Sequence, residues 1–234
     1  MRLSRSKVEL FIECPRCFYA DVILKKKRPS TLPFTLNNAV DSLLKKEFDE
    51  FREKGVAHPI QQNTGFVPAI HNSLELWRNP FKGGISFYDE PHACNYYGAI
   101  DDIWINGYEQ LAIVDYKATA KETAVTALPE WASVYARQLS FYKYLFQQNG
   151  FNMYPKGFLV YMTAITSHPR LDSHLKFEAN LIEVDLDMTW IEPTLNAIHE
   201  ILRQPHLPEK SKTCKYCQFI EDRMVVQDTG SAES

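Results

Sequence analysis

The sequence predicts an α/β protein in which a mixed sheet is flanked by helices. Three observations carry that expectation. Residues 35–55, TLNNAVDSLLKKEFDEFREKG, place Val40, Leu43, Leu44, Phe48 and Phe51 at helical spacing. Residues 84–119 switch to segments rich in β-branched and aromatic residues: GISFYD, NYYGAIDDIWIN and QLAIVDYKAT. Beyond them the pattern runs helix, strand, strand, helix, so the whole chain reads α, β-meander, α, β, β, α.

The elements follow in order. Ser4 or Ser6 can cap a first helix that runs to about Leu24, with a break at Pro15. KKKRPS (25–30) is its basic exit, and Gly55 suits the stop of the helix at 35–55. Residues 56–82 read as irregular, with a short helix around Leu74–Trp77. Strands are expected at 84–89, 95–106 and 110–119. NGYE (106–109) joins the last two, because Asn-Gly favours a type I′ turn. A helix from about Leu128 to Gln148 precedes the apolar strand 157–165, a strand at 176–187 and a final helix at 188–204. QDTGSAES (227–234) reads as a disordered tail. A single domain over 1–226 is expected, with its core at 84–187 and flanks at 1–55 and 188–220.

Composition narrows the class. Of 234 residues, 45% are apolar and 24% charged, the balance of a globular protein. The net charge of −3 supplies no global basic field, so contact with nucleic acid would need a local patch. No apolar run is long enough to span a bilayer, and Glu9 and Glu13 interrupt the N-terminal segment, which does not read as a signal peptide. The expectation is a cytoplasmic protein.

Five cysteines occur: Cys14, Cys17, Cys94, Cys214 and Cys217. An odd number in a reducing compartment argues against a disulfide framework. CPRC (14–17) and CKYC (214–217) together offer four thiolates, the complement of a tetrahedral zinc or an iron–sulfur cluster. The bland alternative is two unrelated buried pairs, or one redox-active pair. If one centre takes all four, the two ends of the chain are clasped together. Phe18 and Gln218 stand where zinc knuckles usually carry glycine, and the first pair falls in a helical segment, which leans towards a cluster. Cys94 reads as a small buried hydrophobe.

The chemistry concentrates in the middle strands. Asp115 and Lys117 are two apart on a strand, so they share a face. A hairpin between residues 101 and 115 brings Asp101 near Asp115. Two carboxylates and an ammonium suit divalent-metal catalysis on a phosphodiester, with Mg²⁺ or Mn²⁺ on oxygen ligands. Alone, Asp115 and Lys117 are equally a surface ion pair at a strand end.

They are not alone. GAID (98–101), IVDYKAT (113–119) and QLSFY (138–142), in that order, resemble the PD-(D/E)XK nuclease superfamily. The likeness is to its RecB-like branch, which includes CRISPR-associated exonucleases and AddB-type helicase–nuclease subunits. The resemblance implies a restriction-endonuclease-like fold. In it Asp101 and Asp115 are metal ligands, Lys117 is the catalytic lysine, and Gln138 and Tyr142 form the QxxxY pair on one helical face. It also implies a four-cysteine [4Fe–4S] cluster flanking the core, which CPRC and CKYC match; zinc is the alternative. Three departures stand out. Asp41 occupies the place where the branch commonly has a metal-binding histidine, and it reads either as a substitute ligand or as a solvated helix residue. The cysteines are split two and two, where relatives often have one and three. Ile100 replaces the nominal proline.

The basic run Lys25, Lys26, Lys27 and Arg28 could track a phosphate backbone or be a solvated loop. Trp131, Tyr135 and Arg137 could stack on unpaired bases or belong to the core. His71, His92 and His199 show no partner spacing. The expectation is a Mg²⁺- or Mn²⁺-dependent deoxyribonuclease. Within that class it is an exonuclease of DNA repair, recombination or CRISPR-type processing. Its partner is DNA, single-stranded or at ends, and any helicase would act in trans. The rivals are a nucleic-acid-binding module that keeps the fold without catalysis, and a zinc-stabilised protein with no nucleic-acid role.

Overall fold

The computed structural model describes residues 1–30, 34–129 and 132–230. In chain order the elements are β1 (Arg2–Ser4), α1 (Arg5–Glu13), α2 (Pro15–Val22), α3 (Thr35–Lys54), β2 (Phe66–Pro68), α4 (Leu74–Trp77), β3 (Ile85–Asp89), β4 (Cys94–Gly98), β5 (Asp102–Asn106), β6 (Leu111–Lys121), α5 (Ser133–Gln148), β7 (Lys156–Ile165), β8 (Phe177–Asp185), α6 (Ile191–Leu202) and α7 (Lys215–Gly230). They fall into two compact units. One joins Met1–Arg5 to Pro33–Met188, and the other joins Ser6–Leu32 to Thr189–Ser234.

The first unit is the α/β body. Its five-stranded sheet has the order β2-β5-β6-β7-β8. β6 and β7 run parallel and the other neighbours antiparallel, so the sheet is mixed. The parallel pair needs a crossover, and α5 provides it. β6 shows the period-two logic of a strand covered on both faces. Ala112, Val114 and Tyr116 pack with Val40, Leu44 and Phe48 of α3. Phe48 is fully buried and stacks on Trp104 and Tyr116, each with ring centroids 5.5 Å apart. The alternate residues Ile113 and Asp115 face the other way, towards α5, whose Leu139, Phe141, Leu145 and Phe146 are fully buried.

Residues 95–106 were expected as one strand and form two. β4 pairs with β1 and β3 in a separate three-stranded sheet, and β5 starts anew at Asp102 in the five-stranded one. Gly98 marks the break. A Cβ there would lie 2.4 Å from Cε1 of Tyr142, and one on Gly84 would lie 2.0 Å from the Gly98 carbonyl oxygen. Only glycine at these positions leaves room for the Tyr142 ring against residue 98 and for the 98 carbonyl against residue 84. The turn after β5 also differs from expectation. Asn106 Oδ1 accepts the backbone N–H groups of Tyr108 and Gln110, and Glu109 takes φ +58°. This is a loop closed by a left-handed residue, not a type I′ turn, and the Asn106 side chain shares the turn hydrogen bonds with its own carbonyl, which accepts the Glu109 N–H at 3.1 Å.

In the second unit the expected helix break is present. Cys14 is extended, with φ −163°, between α1 and α2, because a residue before proline is driven out of the helical region. Tyr19 donates to the Gln204 carbonyl at 3.0 Å, and Arg16 Nε to that of Pro208 at 3.0 Å, tying α2 to the chain beyond α6. The segment 227–230, expected in the disordered tail, continues α7 to Gly230. α5 begins at Ser133 rather than near Leu128.

Candidate active site and four-cysteine centre

The site is built where β5 and β6 part. Their pairing ends at Asp102 opposite Val114, whereas β6 stays paired to β7 as far as Lys121. Past Val114, the N–H of Tyr116 has no strand partner on the β5 side. Oδ2 of Asp101 accepts it at 2.9 Å. A buried backbone donor left unpaired costs about 1–3 kcal/mol, so this bond fixes the Asp101 carboxylate against β6.

Asp115 is 2% exposed. Its Oδ1 accepts from Gln138 Nε2 at 2.7 Å, and its carboxylate pairs with the Lys117 ammonium. Burial, then the negative charge of Asp101, lifts its pKa to about 7. Gln138 also reaches the Tyr142 hydroxyl at 3.5 Å, and burial raises that phenol to about 12. Lys117 lies 4.6 Å from the centroid of the Tyr135 ring, within cation–π range. The shared face predicted for Asp115 and Lys117, and for Gln138 and Tyr142, is what brings these four side chains together.

Asp41 arrives from α3. Lys45, one turn on, donates to Asp41 at 2.8 Å and approaches Asp101 at 3.3 Å. Burial, then the Asp101 charge, raises Asp41 above the ordinary carboxylate range. Asp101 therefore raises the proton affinity of Asp41 on one side and Asp115 on the other. Asp41, Asp101 and Asp115 offer hard carboxylate oxygen, the donor type that a divalent cation such as Mg²⁺ or Mn²⁺ takes, with the Lys45 ammonium now on two of them. Asn37, Asp41, Tyr116, Lys117, Ala118 and Tyr135 open onto a cleft of about 190 Å³.

Asp102, adjacent in sequence, has a different setting. It is fully buried and held by the guanidinium groups of Arg52 and Arg78, the Tyr116 hydroxyl at 2.8 Å and the Ile103 N–H at 2.9 Å. Burial pushes its carboxyl up, against the pull of the two arginines. All its capacity is used inside the fold. Sequence reading missed Lys45, Arg52 and Arg78. Lys45 carried a usable signal, its (i, i+4) spacing from Asp41; the two arginines carried none, because their partner is distant in the chain.

The cysteines form a second centre, within the second unit. One sulfur from each of Cys14, Cys17, Cys214 and Cys217 lies within 4.8 Å of the others. Cys14, Cys214 and Cys217 are buried and Cys17 half-buried. The N- and C-terminal segments are thus brought together by the two CxxC pairs. Arg28, expected with the basic run, turns to this centre. It pairs with Glu13, donates to Cys214 Sγ at 3.6 Å and covers the Tyr216 ring at 4.5 Å. Lys25, Lys26 and Lys27 are exposed. Trp131 lies outside the described residues. No helix among the described residues is long and apolar enough to cross a membrane.

A family model, that of the PD-(D/E)XK nuclease superfamily, matches residues 2–221. The chain belongs to the PD-(D/E)XK nuclease superfamily, a class of metal-dependent nucleases. One solved chain that is similar, described as "Crystal structure of SSO0001", is 15% identical, with 94% of this chain and 84% of that chain covered and a TM-score of 0.40. No curated protein matches.

Proposed function

We propose that this protein is a Mg²⁺- or Mn²⁺-dependent deoxyribonuclease that works from DNA ends, in repair, recombination or CRISPR-type processing. One observation carries the reading: Asp101, Asp115 and Lys117 converge at the divergence of β5 from β6, with Gln138 holding Asp115. Asp101 and Asp115, with Asp41 from α3, are the residues that would hold the cation. Bound there, a divalent ion polarises the phosphate and lowers the pKa of water.

The chain's own groups do the rest. Lys117, held against Asp115 and over the Tyr135 ring, orients the attacking water and offsets charge growing on the phosphorus oxygens. Gln138 fixes the plane of the Asp115 carboxylate, and Tyr142 lies beside Gln138 on the same helix. Asp115 gives up its proton when positive charge arrives, since its high pKa comes from burial and from Asp101. Beyond Ala118, a further cleft of about 390 Å³ is lined by Phe34, Leu36 and Phe177, which suits the faces of unpaired bases. The ordered likeness of GAID, IVDYKAT and QLSFY to RecB-like enzymes supports action from DNA ends.

A second reading, a nucleic-acid-binding module without catalysis, is favoured by Lys45, whose ammonium already compensates Asp41 and Asp101. One panel separates the two. Linear single- and double-stranded DNA, closed circular DNA and RNA are incubated with the protein and either cation. The proposal expects cation-dependent loss of linear DNA with circles spared. Intact DNA bound by a folded, Mn²⁺-saturated protein selects the binding module, and cleavage of RNA alone removes the assignment to DNA.

A further inference from the structure

We propose that the four-cysteine centre holds one zinc ion and not an iron–sulfur cluster. The sulfurs carry the argument. Cys14 and Cys217 are 3.8 Å apart, Cys17 and Cys214 3.6 Å, and Cys17 and Cys217 3.6 Å. The other three pairs lie within 4.8 Å, and a tetrahedron whose edges match the three short ones has its centre about 2.3 Å from each corner, the zinc–thiolate bond length. In a [4Fe–4S] cluster each thiolate takes a different iron at the corner of a cube, and the four sulfurs stand well beyond that separation. The cluster implied by the resemblance therefore does not fit these positions, whereas a single tetrahedral ion does.

The backbone gives the same answer. Cys14 immediately precedes α2 and Cys17 lies in its first turn; Cys214 immediately precedes α7 and Cys217 lies in its first turn. The local bonds repeat, with Phe18 N–H to the Cys14 carbonyl at 3.0 Å and Gln218 N–H to that of Cys214 at 3.1 Å. Two copies of one helix start each present two sulfurs to one point. This explains the two-and-two split of the ligands, which a single ion accepts from any two supports. A zinc tetrathiolate carries two net negative charges. Arg28 at 3.6 Å from Cys214 Sγ and the Ser211 N–H at 3.5 Å from Cys14 Sγ are the donors that offset them.

The test counts metal and does not depend on cleavage, so its failure is separable from failure of the nuclease reading. Full-length protein is produced in cells supplied with both iron and zinc, purified without oxygen, and assayed for metals and acid-labile sulfide. The expected result is about one zinc per chain, no sulfide and no colour, with four sulfurs at about 2.3 Å by zinc-edge X-ray absorption. A brown protein with about four irons and four sulfides per chain, absorbing near roughly 400 nm, overturns the proposal. So does one iron per chain, or no metal at all. Zinc can occupy a centre that has lost a cluster, so metal-free protein is also offered ferrous iron and sulfide against equimolar zinc. Zinc is expected to prevail, and persistent cluster assembly contradicts the assignment. Cys217→Ser is expected to lose the zinc; should it fail to fold, Cys94→Ser, which alters the one cysteine outside the centre, is expected to retain it, and loss of zinc there overturns the ligand set.

Discussion

Asp101 accepts the Tyr116 backbone N–H through Oδ2 at 2.9 Å, in place of a ladder bond from β5, whose pairing ends at Val114, two residues earlier. The carboxylate thus serves the fold and the site together, and two substitutions separate these roles. Asp101→Asn keeps an acceptor oxygen, so stability is expected to change by less than about 1 kcal/mol while cleavage falls on the order of 100-fold or more. Asp101→Ala strands the N–H and is expected to cost about 1–3 kcal/mol as well. Urea unfolding beside DNA cleavage reads both. Equal loss of stability in the two variants contradicts the capping role.

The Asp115 carboxyl makes a pH prediction. Its pKa is about 7 in the folded protein, against about 3.9 in the unfolded chain. A raised carboxyl favours folding in its protonated form. That stabilisation is complete below about pH 4 and is lost as pH climbs to about 7. Asp115→Asn stays neutral throughout. Without divalent cations its stability relative to wild type is expected to rise between pH 5 and pH 8, by something on the order of a few kcal/mol. Saturating Mg²⁺ should restore the wild type at pH 8. Parallel melting curves for the two proteins across that range would count against the cluster's electrostatics.

Lys45 bridges Asp41 and Asp101 at 2.8 and 3.3 Å and so competes with any cation that those carboxylates would hold. Lys45→Met is expected to lower the melting temperature of the cation-free protein, because three acidic groups lose a counter-charge. It is also expected to tighten Mn²⁺ binding about tenfold, or about 1.4 kcal/mol, by calorimetry. Unchanged or weaker Mn²⁺ binding would remove Lys45 from the site.

Asp102 is a structural carboxylate by its surroundings. Removing it leaves Arg52 and Arg78 buried without their shared partner. Asp102→Ala is expected to cost about 3–5 kcal/mol in urea unfolding. A cost below about 1 kcal/mol would mean that the network does not hold β5 against α3 and α4.

Much of this geometry was legible before any coordinates. Period two put Asp115 and Lys117 on one face, and the resemblance carried by GAID grouped Asp101 with them. The paired CxxC motifs anticipated a meeting of the chain ends. What escaped was non-local. The break between β4 and β5 lies inside an unbroken run of strand-forming residues, and only Gly98 hinted at it. Arg52 and Arg78 converge on Asp102 from 50 and 24 residues away, a distance at which spacing carries no information. Arg28 looked like part of a basic run because sequence cannot show that its guanidinium faces a sulfur.

The most direct measurement of the account is cleavage of end-labelled linear DNA in Mn²⁺ by wild type, Lys117→Ala and Asp115→Asn side by side, with folding of each verified by circular dichroism. Cation-dependent cleavage by the wild type is expected, with a loss on the order of 100-fold or more in both variants. Cleavage that survives in a folded Lys117→Ala or Asp115→Asn protein would place the chemistry elsewhere in the molecule and contradict the assignment of this site.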